Sequence, residues 1–193
     1  MFNLNTHDMN WIFKPRTFEI TEDKVIIKTE ANTDFWQNTY YNFQHDNAPA
    51  LLQSTSEKFF SFTVKTTFHS KAEYDQCGVI IYQDSNNWFK ASIEYEDEHY
   101  QRLGSVVTNQ GYSDWATTDI DANVKSMYYR LSRRGSDFCI ENSYDGVTFY
   151  QMRIFHLFKA DEQINFGIYA CSPSEASFEA IFTEMKVTEC MWN

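Results

Sequence analysis

The chain is 193 residues long and carries 16 Lys plus Arg against 27 Asp plus Glu, a formal charge of −11. That balance repels phosphate backbones and excludes nucleic acid as a partner unless a local basic patch exists. No apolar run approaches the roughly 20 residues of a spanning helix, so no membrane partner is expected either. Aromatics reach 18%, with 17 Phe, 12 Tyr and 5 Trp, which suits pleated, half-buried surfaces and predicts an all-β fold.

Met1 to Asp8 has neither a basic start nor an apolar core, so no signal peptide is expected. Strand-like runs then recur at Asn10–Lys14, Lys24–Thr29, Lys58–Phe68, Gln76–Gln83, Trp88–Glu96, Gln101–Thr108, Met127–Arg133, Phe138–Asn142, Thr148–Ile154, Gln163–Cys171 and Phe178–Thr188. Short strands at this spacing predict a single sandwich or barrel domain over residues 1–193. With only 6 Gly and 3 Pro, the turns must rely on Asn, Asp and Ser, as in Asp84-Ser85-Asn86-Asn87. Asp145-Gly146 predicts a tight hairpin between Phe138–Tyr144 and Val147–Met152. The longest stretch without a strand pattern, Ala31 to Glu57, is read as a functional loop.

The four cysteines, Cys77, Cys139, Cys171 and Cys190, form no Cys-x-x-Cys pair, and no histidine stands at metal-finger spacing from them. A reduced, cytoplasmic protein with no metal and no cofactor is the expectation. The basic cluster Arg130, Arg133 and Arg134 splits between two strand faces and is read as solvated strand ends. Asp114, Asp119 and Asp121 lack a Ca²⁺-loop interval and are read as exposed loop acids. Trp115 either rims a groove or closes one end of the core.

The richest segment is Gly78 to Glu98. Alternation along the strand after the Asp84–Asn87 turn puts Phe89, Ala91, Ile93 and Tyr95 on one face and Trp88, Lys90, Ser92, Glu94 and Glu96 on the other. The first face suits a core. On the second, Trp88, Lys90 and Glu94 suit a ring-shaped polar ligand, or else an exposed cross-strand ion pair. Glu94, Glu96 and Glu98 repeat at every second position, the arrangement a pair of hydrolytic carboxyl groups would use. The competing reading is a solvated turn at Asp97-Glu98-His99, where the strand has ended. In the long loop, Trp36 and Tyr40 are candidates to stack on a sugar, with Asp34 and His45 as hydrogen-bonding groups. Alternatively, the loop aromatics pin that loop over a sheet edge.

The loop Asp34-Phe35-Trp36…His45-Asp46, the strand Gly78…Asp84…Trp88-x-Lys90-x-x-x-Glu94, and Tyr144-Asp145-Gly146-Val147-x-Phe149 together resemble the DUF1349 family from about Trp11 to Val187. The resemblance implies a concanavalin A-like jelly roll of two curved antiparallel sheets, one presenting a concave face. It implies no mechanism. Three functions therefore stand: a non-catalytic module binding a carbohydrate or similar polar metabolite, a carbohydrate-active enzyme using Glu94 with Glu96 or Glu98, and a protein-interaction or regulatory protein.

Overall fold

A computed structural model describes residues 4–160 and 162–192. Met1, Phe2 and Asn3, part of the opening segment read as lacking a leader, lie outside the described residues. The strands in chain order are β1 (Asn10–Ile12), β2 (Thr17–Ile20), β3 (Lys24–Lys28), β4 (Phe35–Gln37), β5 (Gln44–Asp46), β6 (Ala50–Thr55), β7 (Phe59–Phe68) and β8 (Gln76–Asp84). They continue as β9 (Asn87–Tyr95), β10 (Tyr100–Asn109), β11 (Tyr112–Asp121), β12 (Ser126–Arg134), β13 (Asp137–Ser143), β14 (Tyr150–His156), β15 (Ile164–Cys171) and β16 (Glu179–Thr188). No helix among the described residues is long and apolar enough to cross a membrane.

Two seven-stranded sheets form, ordered β1-β6-β15-β8-β9-β10-β11 and β14-β13-β12-β7-β16-β3-β2. Between them lies the main core, where Phe60, Phe62, Val64 and Phe68 of β7 meet Val79, Ile81, Phe89, Ala91, Ile93, Phe166 and Ile168 of the first sheet. The architecture is the all-β jelly-roll sandwich expected from the sequence. Sandwich strands with one apolar face alternate clearly in sequence, as β7 does with Ser61, Thr63, Lys65 and Thr67 between its core residues.

The first sheet departs from that rule, because its second face is covered too. Phe35, Trp36, Ala48, Ala50, Leu52, Ile80, Trp88, Val106, Tyr169 and Cys171 make a second apolar cluster there. Its lid is the small hairpin β4–β5. Strands buried on both sides read as continuous apolar runs, which is why Gly78-Val79-Ile80-Ile81 shows no period.

Four readings are corrected. The supposed loop Ala31 to Glu57 holds β4, β5 and β6. These are three to six residues long and too short to display a period. The Asp145-Gly146 turn is the tip of a wider loop. Asn142 pairs with Tyr150, and Asp145 Oδ1 accepts from Val147 N and Thr148 N, both at 2.8 Å. Asp114, Asp119 and Asp121 lie on the edge strand β11 rather than in a loop. Lastly, Arg133 is fully buried. Its guanidinium donates to Gly135 O, Glu57 O, Ala160 O and Glu162 O at 2.7–3.1 Å, binding together segments distant in sequence. Arg130 instead pairs with Glu141 through two contacts of 2.6 and 2.8 Å.

All four cysteines are free, with Cys77, Cys139 and Cys171 buried. No group of three or more potential metal-ligating side chains occurs among the described residues.

Candidate functional site

A cleft of about 400 Å³ opens on the outer face of the first sheet, beside the β4–β5 lid. Its floor is a row of cross-strand neighbours: Glu94 of β9 stands opposite Gln76 of β8 on one side and Arg102 of β10 on the other. The row depends on a bulge. The turn pairs Asp84 with Asn87, and the register then shifts between Tyr82 and Asp84, so that Tyr82 pairs with Trp88 and Gln76 with Glu94. Without that extra residue the ladder would place Cys77 opposite Glu94, because a one-residue slip exchanges the faces.

Lys90 lies two strand-repeats from Glu94, with Ser92 between them, and is buried. Its Nζ donates to Asp34 Oδ1 at 2.9 Å and to Gln76 Oε1 at 3.0 Å, and it sits 5.8 Å from the centre of the Tyr169 ring. Burial favours loss of its proton, yet Asp34, with Cys171 and Glu94 behind it, more than offsets this, so Lys90 is held above the ordinary lysine range. Asp34 is fixed at the mouth of the lid, with its Oδ1 also accepting from Phe35 N at 2.7 Å. Asn47 Oδ1 in turn accepts from Asp34 N at 2.9 Å.

Glu94 keeps part of its surface open to the cleft, while protein packs around the remainder. Burial pushes its carboxyl up to about 7; Asp34 and Glu96 act in the same direction, and Lys90 and Arg102 oppose them. Gln76 Nε2 donates to Glu94 Oε2 at 2.9 Å. Arg102 Nη1 lies 2.9 Å from Glu96 Oε1, and its guanidinium rests 5.4 Å from the centre of the Trp115 ring.

The walls are aromatic: Trp36, Tyr41, Phe43, Tyr74 and Trp115, with His45 beside them. Trp36 meets Tyr41 and Trp115 edge to face at 5.4 and 6.5 Å between ring centres. Its Nε1 donates to Thr39 O at 3.2 Å, so it anchors the lid as well as lining the cleft. Gly104 lets Trp115 lie close to β10, since a Cβ there would meet Trp115 Nε1 at 3.2 Å and Thr117 Cγ2 at 2.9 Å. Trp115 is thus a rim residue, which decides between its two sequence readings.

Of the sequence candidates, the structure gathers Asp34, Trp36, His45, Lys90 and Glu94 around one cleft. It leaves two outside. Trp88 has no exposed surface; it packs 5.7 Å from Phe35 under the lid, where no ligand can stack on it. Tyr40 stands at the lid tip, 86% exposed, meeting Tyr41 edge to face with 5.0 Å between ring centres. The Glu-x-Glu-x-Glu face does not form, because β9 ends at Tyr95. Glu96 is taken by Arg102, and Glu98 is a solvent-facing turn residue beside His99. The sequence reading missed Gln76 and Arg102. Their signal was the strand register: the bulge conceals the β8–β9 pairing of Gln76 with Glu94, whereas the β9–β10 ladder pairs Tyr95 with Gln101 and Glu94 with Arg102 without a shift.

Comparison with known proteins follows the same outline. The chain is 31% identical over 178 residues to Regulation of enolase protein 1 of Saccharomyces cerevisiae, covering 92% of this chain and 88% of that one. A solved structure of a functionally unknown protein from Saccharomyces cerevisiae superposes with a TM-score of 0.90 at 29% identity, covering 97% of this chain and all of that one. The GH43 BlXynB protein from Bacillus licheniformis shares the fold, with a TM-score of 0.70 at 16% identity, over 91% of this chain and 35% of that one. The sandwich is concanavalin A-like, and residues 11–190 match the profile of DUF1349, a protein family of unknown function, to which the chain therefore belongs.

Proposed function

We propose that this protein is a non-catalytic binding module whose cleft takes a carbohydrate or a similar polar metabolite. The observation that carries the reading is the pairing of aromatic walls with a polar, fixed floor. Trp36, Tyr41, Phe43 and Trp115 surround Asp34, Lys90, Gln76 and Glu94. Ligand sites of this kind combine apolar walls with a few oriented polar groups. The flat rings suit the apolar faces of a pyranose, and the floor suits its hydroxyls.

A thermal-shift screen against mono- and oligosaccharides tests it. Free ligand at 100 times its Kd should stabilise the fold by about 2.7 kcal/mol. Tyr41→Ala and Trp115→Ala are expected to weaken binding by about 0.5–1.5 kcal/mol each, the worth of an aromatic contact. A panel without any shift overturns the reading.

A second reading, regulation of enolase through direct contact, is favoured by the name of the yeast relative. The exposed aromatics Tyr40, Tyr41 and Phe43 on the lid would supply the contact surface. Co-elution with purified enolase, lost in Tyr40→Ser, would support it; independent elution of the two proteins would remove it.

A further inference from the structure

The polar floor narrows the class of ligand, on the assumption that the cleft binds a polar metabolite at all. Gln76 is 2% exposed, so its amide is oriented by its protein partners. Its Oε1 lies 3.0 Å from Lys90 Nζ and 3.0 Å from the Tyr169 hydroxyl. An ammonium can only donate, so the atom facing it must be the carbonyl oxygen, and the amide nitrogen is turned to Glu94 Oε2 at 2.9 Å. Glu94 Oε2 is therefore committed as an acceptor. A proton carried by Glu94 resides on Oε1, which makes no hydrogen bond among the described residues.

The charged groups facing that carboxyl are Lys90 on its own strand, Asp34 at the lid, Glu96 beyond the strand end and Arg102 on β10. Tyr74, Tyr169 and Cys171 also interact with it, and His45 lines the same cleft from the lid. Within this set both cations already have carboxylate partners: Lys90 with Asp34 Oδ1 and Arg102 with Glu96 Oε1, each at 2.9 Å. The second Asp34 oxygen, Oδ2, makes no hydrogen bond among the described residues. The floor thus offers one unshared carboxylate oxygen and one carboxyl proton, with no unmatched positive charge.

We propose that the cleft selects an uncharged polyhydroxy ligand, a neutral sugar, which accepts a hydrogen bond from Glu94 Oε1 and donates one to Asp34 Oδ2. Phosphorylated, sulfated and carboxylated sugars are rejected, because on the floor their anion would meet Asp34 while Lys90 and Arg102 are already paired. Ligand binding is linked to the Glu94 proton. As pH rises through about 7, the donor is lost and a second carboxylate takes its place.

The test is a glycan array with matched neutral and anionic members, followed by calorimetric titration of each hit at pH 6 and pH 8. Binding confined to neutral members, weakened about tenfold between the two pH values, is the expected result, since nearly all of the proton is lost over that interval. Glu94→Gln, whose amide still donates, is expected to flatten the pH profile. Preference for anionic members would overturn the charge selection and leave the binding function standing. Neutral binding with the same pH profile in wild type and Glu94→Gln would overturn the role given to Glu94. An array with no hits would overturn both this inference and the binding function beneath it.

Discussion

Lys90, Glu94 and Arg133 are ionisable groups drawn away from water, and each is stabilised in its own way. Lys90 has a carboxylate partner in Asp34. Lys90→Met should destabilise the fold by about 3 kcal/mol in urea titration, because Asp34 is left without its counter-charge. Among the described residues Arg133 has no carboxylate partner, only four carbonyl oxygens. Arg133→Met strands those acceptors in a closed site and should cost more than about 3 kcal/mol by the same measurement. Glu94 behaves differently again, because its folded-state pKa is raised from 4.5 to about 7. The folded protein holds that proton more tightly than the unfolded chain does, so the contribution of Glu94 to stability is greatest below pH 4.5 and is lost as pH rises to about 7. Glu94→Gln lacks this loss, and at pH 8 it should be more stable than wild type, by on the order of 2 kcal/mol. Strand alternation alone was enough to place Lys90 and Glu94 on one side of the sheet. Arg133 was not legible in that way, since the segments that bury it come from around residues 57, 135 and 160–162.

Among the elements, the β8–β9 hairpin sets the site. Its turn is written in Asp84, whose Oδ1 accepts from Asn86 N at 2.9 Å and Asn87 Nδ2 at 2.8 Å, and this was readable from the sequence. The bulge at Gln83 was not. It is held by long-range contacts, with Gln83 Nε2 donating to Lys159 O and Gln163 O at 2.9 and 2.7 Å. Further along, Gly78 permits an unusually close approach of β9: a Cβ there would stand 1.9 Å from Ala91 O. Gly78→Ala should therefore push the two strands apart, lower the unfolding midpoint and speed amide exchange in β8 and β9; unchanged exchange would refute that account. The lid hairpin was hidden for another reason. Its strands are three residues each and are joined through Asn38, Tyr40 and Asn42 at positive φ. No periodic signal fits into so short a span.

For the molecule as a whole, composition and strand count indicated the sandwich, while the double-sided burial of one sheet was invisible until the lid was placed on it. Burial also governs the thiols, Cys77 in the main core and Cys171 in the cluster under the lid. Burial raises the Cys77 and Cys171 thiols well above the ordinary cysteine range and pushes Cys139 up to about 11, so none of the three is a ready nucleophile. A native thiol titration should report Cys190 alone on the fast timescale, and all four after denaturation. Fast reaction of Cys171 in the native protein would show that the second cluster opens readily.

The lid is tied on several sides. Asn38 Nδ2 donates to Gly111 O at 2.8 Å and Gln37 N to Ser113 Oγ at 3.0 Å. The Tyr82 hydroxyl donates to the Asp46 carboxylate at 3.0 Å, and Phe35 and Trp36 are sunk in the apolar cluster beneath. A cover fastened in this way cannot swing aside without losing part of a core. For the binding module proposed above, ligand entry would therefore take place through a permanently open mouth. Association becomes a single bimolecular step, its observed rate rising linearly with ligand concentration, with little ordering entropy to offset on arrival.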